Sequence, residues 1–442
     1  MMDTVLILAF VVGYACIALE HRLRVDKAAI ALLMFGIVWS IYACCRPDGV
    51  SALVEHLGST CETLVFLIGA MTIVEIIDSH GGFSLVTGLI TTRHKCRLLW
   101  VLAIITFFLS AILDNMTTTI VLIMMLRRIV PAGRERLLYV AVVVIAANSG
   151  GAWSPIGDVT TIMLWMRGNV TTTHLITYLF VPCAVSMLLP AWWLSRQLGG
   201  GGELAPSTAE VMPACGVGRR FSLLVLVLGV AGLLFVPLFK GLTGLPPYVG
   251  IMFPLGVLWV VTEIFYERKH TIPETCRNRV SQLLRRIDMP TILFFLGILM
   301  SVAGLQSAGI LSAAAHVLDT SVHEVFSISM VIGLLSSVID NVPLVAACIG
   351  MYPVPDAATV LSSADPVYMQ SFVQDGIFWL LLTYCAGVGG SMLIIGSAAG
   401  VVAMGLEKVD FGWYFRHITP IMLLGYLAGI AVIFLEWQWI IL

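Results

Sequence analysis

The chain has 442 residues, of which 59% are hydrophobic and only 11% charged, and its mean hydropathy is +0.99. So apolar a sequence cannot cover a soluble globule with polar surface, and it predicts an all-α polytopic membrane protein. The formal net charge of −2 offers no basic field for nucleic acid, and the ten cysteines lack the spacing of a disulfide or zinc framework.

Apolar segments follow one another along the whole chain, and most have the length of one helical crossing, which needs ~20 residues. The first has no basic flank and no small-residue cleavage site, so we interpret it as an uncleaved first span and not as a signal peptide. The segments lie at 5–19, 28–44, 62–77, 98–126, 137–166, 174–195, 221–239, 247–266, 291–305, 325–350, 376–405 and 417–442.

Three of these segments are interrupted by polar or helix-breaking residues. Segment 98–126 contains Asp114 and Asn115, segment 137–166 contains NSGGAWSPIGD, and segment 376–405 contains GVGGSMLIIGSAAG. Glycine and proline clusters at this depth free backbone groups that only a cavity or the protein interior can satisfy. The interruptions therefore predict broken helices that line a functional site.

The sequence also matches itself in three places, in the same order. TLVFLIGAM resembles TILFFLGIL, SAILDN resembles SSVIDN, and SGGAWSPIGD resembles VGGSMLIIGS. Internal symmetry of this kind is typical of secondary transporters. It divides the chain into N-terminal scaffold helices (1–61), repeat 1 (62–195), a Gly/Pro-rich linker (196–220), scaffold helices of the second half (221–289), repeat 2 (290–405) and a C-terminal helix (406–442).

The charges that flank the two DN motifs give the repeats opposite orientations. Segment 98–126 has basic residues on both sides, so the positive-inside rule places both of its ends in the cytoplasm. Its length allows two half-depth helices of ~21 Å each but not two full spans. Segment 325–350 has no flanking lysine or arginine and is expected to enter from outside. We predict two inverted repeats, each with a re-entrant helical hairpin (98–126 or 325–350) and a broken transmembrane helix (137–166 or 376–405).

Three carboxylates lie at these helix breaks, and no lysine or arginine is predicted at the same depth. Hard oxygen ligands without a fixed cation favour a small hard cation, so we predict a sodium site formed by Asp114, Asp158 and Asp340. We expect sodium and a proton to compete for it, with Asp114 and Asp158 as the main exchanging pair. In the alternative interpretation these aspartates only cap half-helices. Glu75 is expected either to lie on a proton pathway or to have an interfacial, paired role.

Five long motifs resemble the NhaD-type sodium/proton antiporters of the ion transporter superfamily: GAMTIVEIIDSHGGF, SAILDNMTTTIVL, NSGGAWSPIGDVTT, SSVIDNVPLVAACIGMY and GGSMLIIGSAAGVVAMGLEKVDFGWY. The resemblance implies export of sodium or lithium driven by protons, useful for pH homeostasis and salt tolerance. It also implies a homodimer with a scaffold domain and a mobile transport domain, in a bacterial inner membrane. The polar residues that it places in the site are Ser110, Asp114, Asn115, Thr117, Asn148, Asp158, Thr160, Asp340, Asn341, Ser391 and Ser397.

Two other functions remain open at this point. A sodium-coupled carboxylate or dicarboxylate carrier could share the architecture, although acidic hairpin tips oppose an anion. An intramembrane enzyme is the other alternative, but the HExxH and GxSxG motifs of hydrolases are absent. We therefore predict a transporter and not an enzyme, with no cofactor and with sodium or lithium, protons and the lipid bilayer as its partners.

Overall fold

The structure, a computed structural model, describes residues 2–18, 23–88, 92, 94–198, 202, 218–269, 277–322, 324–338, 340–363 and 365–441. This part of the chain is helical, and eight of its helices are long and apolar enough to cross a membrane. Most of the predicted linker 196–220 lies outside the described residues.

The first half of the chain ends with a long helix before the predicted linker. Its helices are α1 (Met2–Ala18), α2 (Lys27–Cys45), α3 (Gly49–Ser79), α4 (Gly82–Thr87), α5 (Lys95–Ser110), α6 (Asn115–Ile129), α7 (Arg134–Ala152), α8 (Val159–Met166) and α9 (Thr172–Gln197).

The second half begins after the predicted linker. Its helices are α10 (Arg219–Thr243), α11 (Pro247–Arg268), α12 (Val280–Leu283), α13 (Met289–Ser307), α14 (Ile310–Ser321), α15 (Val325–Ser336), α16 (Asn341–Met351), α17 (Ala357–Ser362), α18 (Pro366–Gln370), α19 (Ile377–Gly389), α20 (Ala398–Glu407), α21 (Phe411–His417) and α22 (Thr419–Ile441).

The five domain bounds expected from the sequence all fall inside helices, four of them within two residues of a helix end. The bound between residues 61 and 62 lies inside α3, because the polar residues around it, such as Glu55 and Glu62, do not interrupt the helix from Gly49 to Ser79. The C-terminal segment 406–442 contains two helices, α21 and α22, because a new N-cap at Asp410 starts a short helix first.

Helices are interrupted at the four places where the sequence has its polar or glycine-rich motifs. Residues 111–114 separate α5 from α6, and α15 ends at Ser336 while α16 begins at Asn341. Residues 153–158 separate α7 from α8, and residues 390–397 separate α19 from α20. We call α5–α6 and α15–α16 the first and second helix pairs, and α7–α8 and α19–α20 the first and second broken helices.

The two helices that lead into the broken segments form the core of the protein. Residues 138–152 of α7 are all buried, and so is every residue of α19. A membrane helix that is apolar or small on all sides can be surrounded by other helices, because small residues let backbones approach closely. α5 packs on α7 and α15 packs on α19, while α6 contacts α20 and α16 contacts α8. Each helix pair therefore contacts both broken helices.

Matched positions of the two halves make the same contacts. The Ser110 hydroxyl donates a hydrogen bond to the Ala147 carbonyl at 2.6 Å, and the equivalent Ser336 hydroxyl donates to the Ala386 carbonyl at 2.9 Å. Each bond joins the end of one helix of a helix pair to the adjacent broken helix. This hydroxyl is therefore one of the contacts that fix the helix pairs against the core.

Removing the Ser110 hydroxyl tests this contact. We expect Ser110→Ala to lower the free energy of unfolding by about 1 kcal/mol, because a buried hydrogen bond is lost without a change of volume. Ser51→Ala is a suitable control, since its hydroxyl bonds to Asp48 in an exposed first turn. Thermal unfolding of the purified variants measures the difference. Equal melting temperatures for the two variants would show that this contact does not stabilise the core.

Candidate ion-binding site

The residue that ends each helix break caps the helix that follows. The Asp114 carboxylate accepts the Thr117 amide at 2.7 Å, and the Asp158 carboxylate accepts the Thr160 amide at 2.9 Å. In the second half, Asp340 and Ser397 cap α16 and α20 in the same way. Capping satisfies backbone N–H groups that lipid cannot satisfy. The capping role expected in the alternative interpretation is therefore present, and the Asp158 oxygen that does not cap α8 is bound elsewhere, by the Asn115 amide.

A buried network of amides and hydroxyls connects the first helix pair with both broken helices. The Asn115 amide donates to the Asp158 carboxylate at 2.7 Å and to the Asn148 side-chain oxygen at 3.0 Å. The Asn148 amide in turn donates to the hydroxyls of Ser391 and Ser397, both at 2.8 Å. All five side chains are buried. The network holds the second oxygen of Asp158 towards the tip of the first helix pair.

A cavity of about 180 Å³ lies beside this network, between the tips of the two helix pairs. A space of this size holds several water molecules or a partly hydrated ion. We call it the central cavity. Its lining includes four residues predicted for the site, namely Asn115, Asp158, Asp340 and Asn341, together with Lys27, Asp288 and Thr291 and the apolar residues Met116, Val159, Phe295, Val342, Ala398, Val401 and Val402.

Comparison with known proteins shows similarity over nearly the whole chain. The family described as "Citrate transporter" matches residues 14–374. The "Sodium/proton antiporter 1" of Arabidopsis thaliana is 46% identical over 432 residues, which cover 97% of this chain and 72% of that protein. The "Na(+)/H(+) antiporter NhaD" of Vibrio cholerae is 30% identical over 457 residues, which cover 96% of this chain and 90% of that protein. The chain belongs to the NhaD-type sodium/proton antiporter family.

The NhaD-type family membership confirms the resemblance seen in the sequence motifs. The "Na(+)/H(+) antiporter NhaD" of Alkalimonas amylolytica is a further relative, 30% identical over 465 residues that cover 97% of this chain and 89% of that protein. Because the family consists of transporters, the chain is an integral membrane transporter and not an enzyme.

In this NhaD-type chain, Asp114 is not among the residues that line the central cavity. One of its oxygens accepts the Thr117 amide and the other accepts the Thr117 hydroxyl, each at 2.7 Å. The neighbouring Asn115 faces the cavity instead. Asp114 lies outside the lining of the central cavity, with both of its oxygens bound at the start of α6, but its charge is close enough to that of Asp158 for the two carboxylates to interact electrostatically. The two carboxylates from the predicted set that share the central cavity are Asp158 and Asp340.

The other predicted residues lie around the cavity or far from it. Thr160 is buried, and its hydroxyl donates to Asp158 at 2.8 Å. Glu75 lies in α3, where its carboxylate accepts the Ser79 hydroxyl at 3.0 Å and is 3.6 Å from the Arg286 guanidinium. These contacts correspond to the paired role considered for Glu75. Within the described residues, no group of three His, Cys, Asp or Glu side chains is close enough to hold a metal ion, so amides or hydroxyls would have to complete a sodium shell.

The expectation that no lysine or arginine lies at the depth of the aspartates is wrong. The Lys27 ammonium is 3.3 Å from the Asp340 carboxylate and lines the central cavity with it. The two residues are far apart in sequence, and the packing of α2 on α13 brings Lys27 to the cavity. In the sequence, Lys27 directly precedes the apolar segment 28–44, and this position does not indicate a contact with Asp340.

Asp288 and Thr291 are cavity residues that the sequence reasoning missed. Asp288 caps α13 by accepting the Thr291 hydroxyl at 2.6 Å and the Thr291 amide at 3.2 Å. The sequence DMPT before an apolar segment is a recognisable helix start, with an acidic N-cap and a proline in the first turn. The signal indicated a helix boundary but not its position beside the DN motifs.

Proposed function

We propose that this chain exchanges sodium ions for protons across the membrane. The observation that carries the proposal is the central cavity, in which Asp158 of the first half and Asp340 of the second half lie with the amides of Asn115 and Asn341. Carboxylate and amide oxygens are the ligands that hard cations prefer. The proteins named sodium/proton antiporters in Arabidopsis thaliana and Vibrio cholerae align with almost the whole chain.

We assign the exchange itself to Asp158. A carboxylate buried at this depth is costly unless a cation or a proton compensates its charge, by at least ~2.5 kcal/mol on insertion scales. A sodium ion and a proton therefore compete for it, and binding of one releases the other. Such competition couples the two fluxes without simultaneous binding. In this scheme Asp340 supports the site from the second half, and Asp114 with Thr117 fixes the start of α6 beside it.

We propose that the halves are inverted repeats, that the helix pairs are re-entrant, and that the transporter works by alternating access. Lys27 is at the start of α2, and Asp288 is at the start of α13. The sequence just before each of these helices is rich in arginine, so the positive-inside rule assigns both helix starts to the cytoplasm. The central cavity would then receive cytoplasmic sodium or lithium, which leaves in exchange for external protons.

Proton movement in everted membrane vesicles tests the proposed function. The vesicles come from cells that lack their own antiporters, and a pH-sensitive dye reports the gradient after addition of sodium, lithium, potassium or citrate. We expect sodium or lithium to collapse the gradient. If no alkali cation has an effect from neutral to alkaline pH, the proposed exchange is wrong.

A sodium-coupled carboxylate carrier is the second candidate, because the matching family is described as "Citrate transporter". The acidic lining of the central cavity disfavours it, since Asp158, Asp288 and Asp340 repel an anion and only Lys27 attracts one. Uptake of labelled citrate by the same vesicles, without proton movement driven by sodium, would support the carrier.

We propose a homodimer, and a role in pH homeostasis and salt tolerance. We also propose that the protein lies in a bacterial inner membrane; the named relatives come from both bacteria and a plant. A fluorescent fusion in the source cell would locate the protein, and cross-linking in native membranes would show the oligomer.

A further inference from the structure

Lys27 brings a positively charged side chain to the central cavity. Its ammonium nitrogen lies 3.3 Å from the Asp340 carboxylate and 4.5 Å from the centre of the Phe294 ring. Both members of the ion pair are partly shielded, with side-chain exposures of 26% for Lys27 and 19% for Asp340. Within the described part of the chain, no lysine or arginine forms such a pair with Asp158. The two carboxylates of the cavity therefore differ in their charge compensation.

The position of Lys27 is set by the packing of its helix. Asp26 caps α2 by accepting the Ala28 amide at 2.7 Å, which makes Lys27 the first residue of the helix. Gly297 of α13 packs so closely on α2 that an added Cβ atom would lie 2.5 Å from the Ala31 carbonyl carbon. A cation in the first turn is disfavoured by the helix dipole, so helix stability does not explain this lysine. Its contact with Asp340 does.

We propose that Lys27 is a tethered cation that competes with sodium for Asp340. The inference rests on the proposed function and extends it. The lysine ammonium and a sodium ion carry the same charge, and one carboxylate cannot compensate both at close range. Sodium binding to Asp340 therefore requires that Lys27 moves away, which its flexible four-carbon stem permits. When sodium has left, Lys27 returns and keeps Asp340 compensated.

This competition makes Lys27 a determinant of sodium affinity. Sodium can bind Asp340 only after the ion pair with Lys27 is broken. The free energy of sodium binding is therefore reduced by the free energy of that ion pair, which lowers the apparent affinity for sodium. A partly buried pair of this kind corresponds to about a three- to tenfold effect on a binding constant. The displaced ammonium can stay in the cavity, whose lining also includes Asp288. Asp158 has no such competitor and remains the site of proton exchange.

Substitution of Lys27 tests the inference through the sodium dependence of exchange. We expect Lys27→Gln to lower the half-saturating sodium concentration about three- to tenfold, because the competitor is removed. Lys27→Arg keeps the charge and should leave it at or above the wild-type value. The control is Lys95→Gln, since Lys95 pairs with Glu135 at 2.5 Å outside the cavity and has a similar side-chain exposure of 20%.

A double variant shows whether Lys27 acts through Asp340. In an Asp340→Asn background, the further change Lys27→Gln should no longer shift the half-saturating sodium concentration. The inference is wrong if Lys27→Gln alone leaves that concentration unchanged, or if it abolishes exchange at normal protein abundance. The first result would remove the competition, and the second would make Lys27 essential and not a competitor.

The unaltered protein offers a second test that does not depend on folding of a variant. An amine-reactive label is applied to the purified protein in sodium or in choline, and mass spectrometry measures modification of Lys27 and Lys95. We expect sodium to accelerate labelling of Lys27 and to leave Lys95 unchanged. If the wild-type protein exchanges sodium but Lys27 labelling is indifferent to it, this inference alone fails. If the wild-type protein exchanges no sodium, the proposed function fails.

Discussion

Replacement of Asp158 by asparagine is expected to abolish sodium-dependent proton movement in a protein that still folds. The asparagine oxygen can still cap α8 through the Thr160 amide. Its amide then faces the Asn115 amide, which costs one hydrogen bond, about 1 kcal/mol. Asparagine can neither take up a proton nor compensate sodium. We expect exchange to fall at least about 100-fold, the lower end of what a proton-transferring side chain contributes.

Asp356→Asn is the matched control for this variant. Asp356 also caps a helix, accepting the Thr359 amide at 2.8 Å, but it is exposed in the segment between α16 and α19. Hydrogen bonds from the Thr359 hydroxyl and amide lower the pKa of Asp356, so it stays ionised at neutral pH. The everted-vesicle assay should give wild-type exchange for this variant. Equal exchange by Asp158→Asn and wild-type protein would contradict the assignment.

Replacement of Gly150 by alanine is expected to destabilise the protein strongly. Gly150 lies in α7, where an added Cβ atom would overlap the Phe107 carbonyl group of α5 and lie 2.8 Å from its carbon. The backbones must separate, and the nearby bond from Ser110 to Ala147 would be lost with them. We expect a loss of about 3 kcal/mol, the upper part of the usual range for overpacking. Melting temperature and abundance in the membrane measure it.

Gly58→Ala provides the control for Gly150→Ala. Gly58 lies in α3, and an added Cβ atom would have no neighbour within 4 Å. Alanine favours a helix over glycine by ~0.8–1.0 kcal/mol, so this variant should be as stable as wild type or slightly more stable. Equal losses in the two variants would show that the approach of α5 to α7 does not limit stability.

Much of the helical organisation could be predicted because its causes are local. The breaks before Asp158 and Ser397 lie inside the glycine-rich motifs that the sequence singles out. The acidic and hydroxyl caps are likewise local signals. In α3 the helix continues through a polar stretch that contains Glu55 and Glu62, so the start of the apolar segment did not indicate the start of the helix.

The composition of the cavity could be predicted only in part, because it depends on packing between distant segments. Asn115 and Asp158 were expected in the site, and both line the central cavity. Asp114 was expected there too, but adjacent side chains at a helix start point to different sides, and a sequence pattern does not show which one faces the cavity. Lys27 was missed because its contact with Asp340 joins residues separated by 313 positions.

Proton release on sodium binding tests the central claim most directly. Purified protein in a weakly buffered detergent solution is mixed with sodium chloride, and a pH indicator follows the solution, with choline chloride as the comparison. We predict that sodium releases protons from the wild-type protein and not from the Asp158→Asn variant. Sodium binding without proton release, or equal release from both proteins, would contradict competition of the two ions at Asp158.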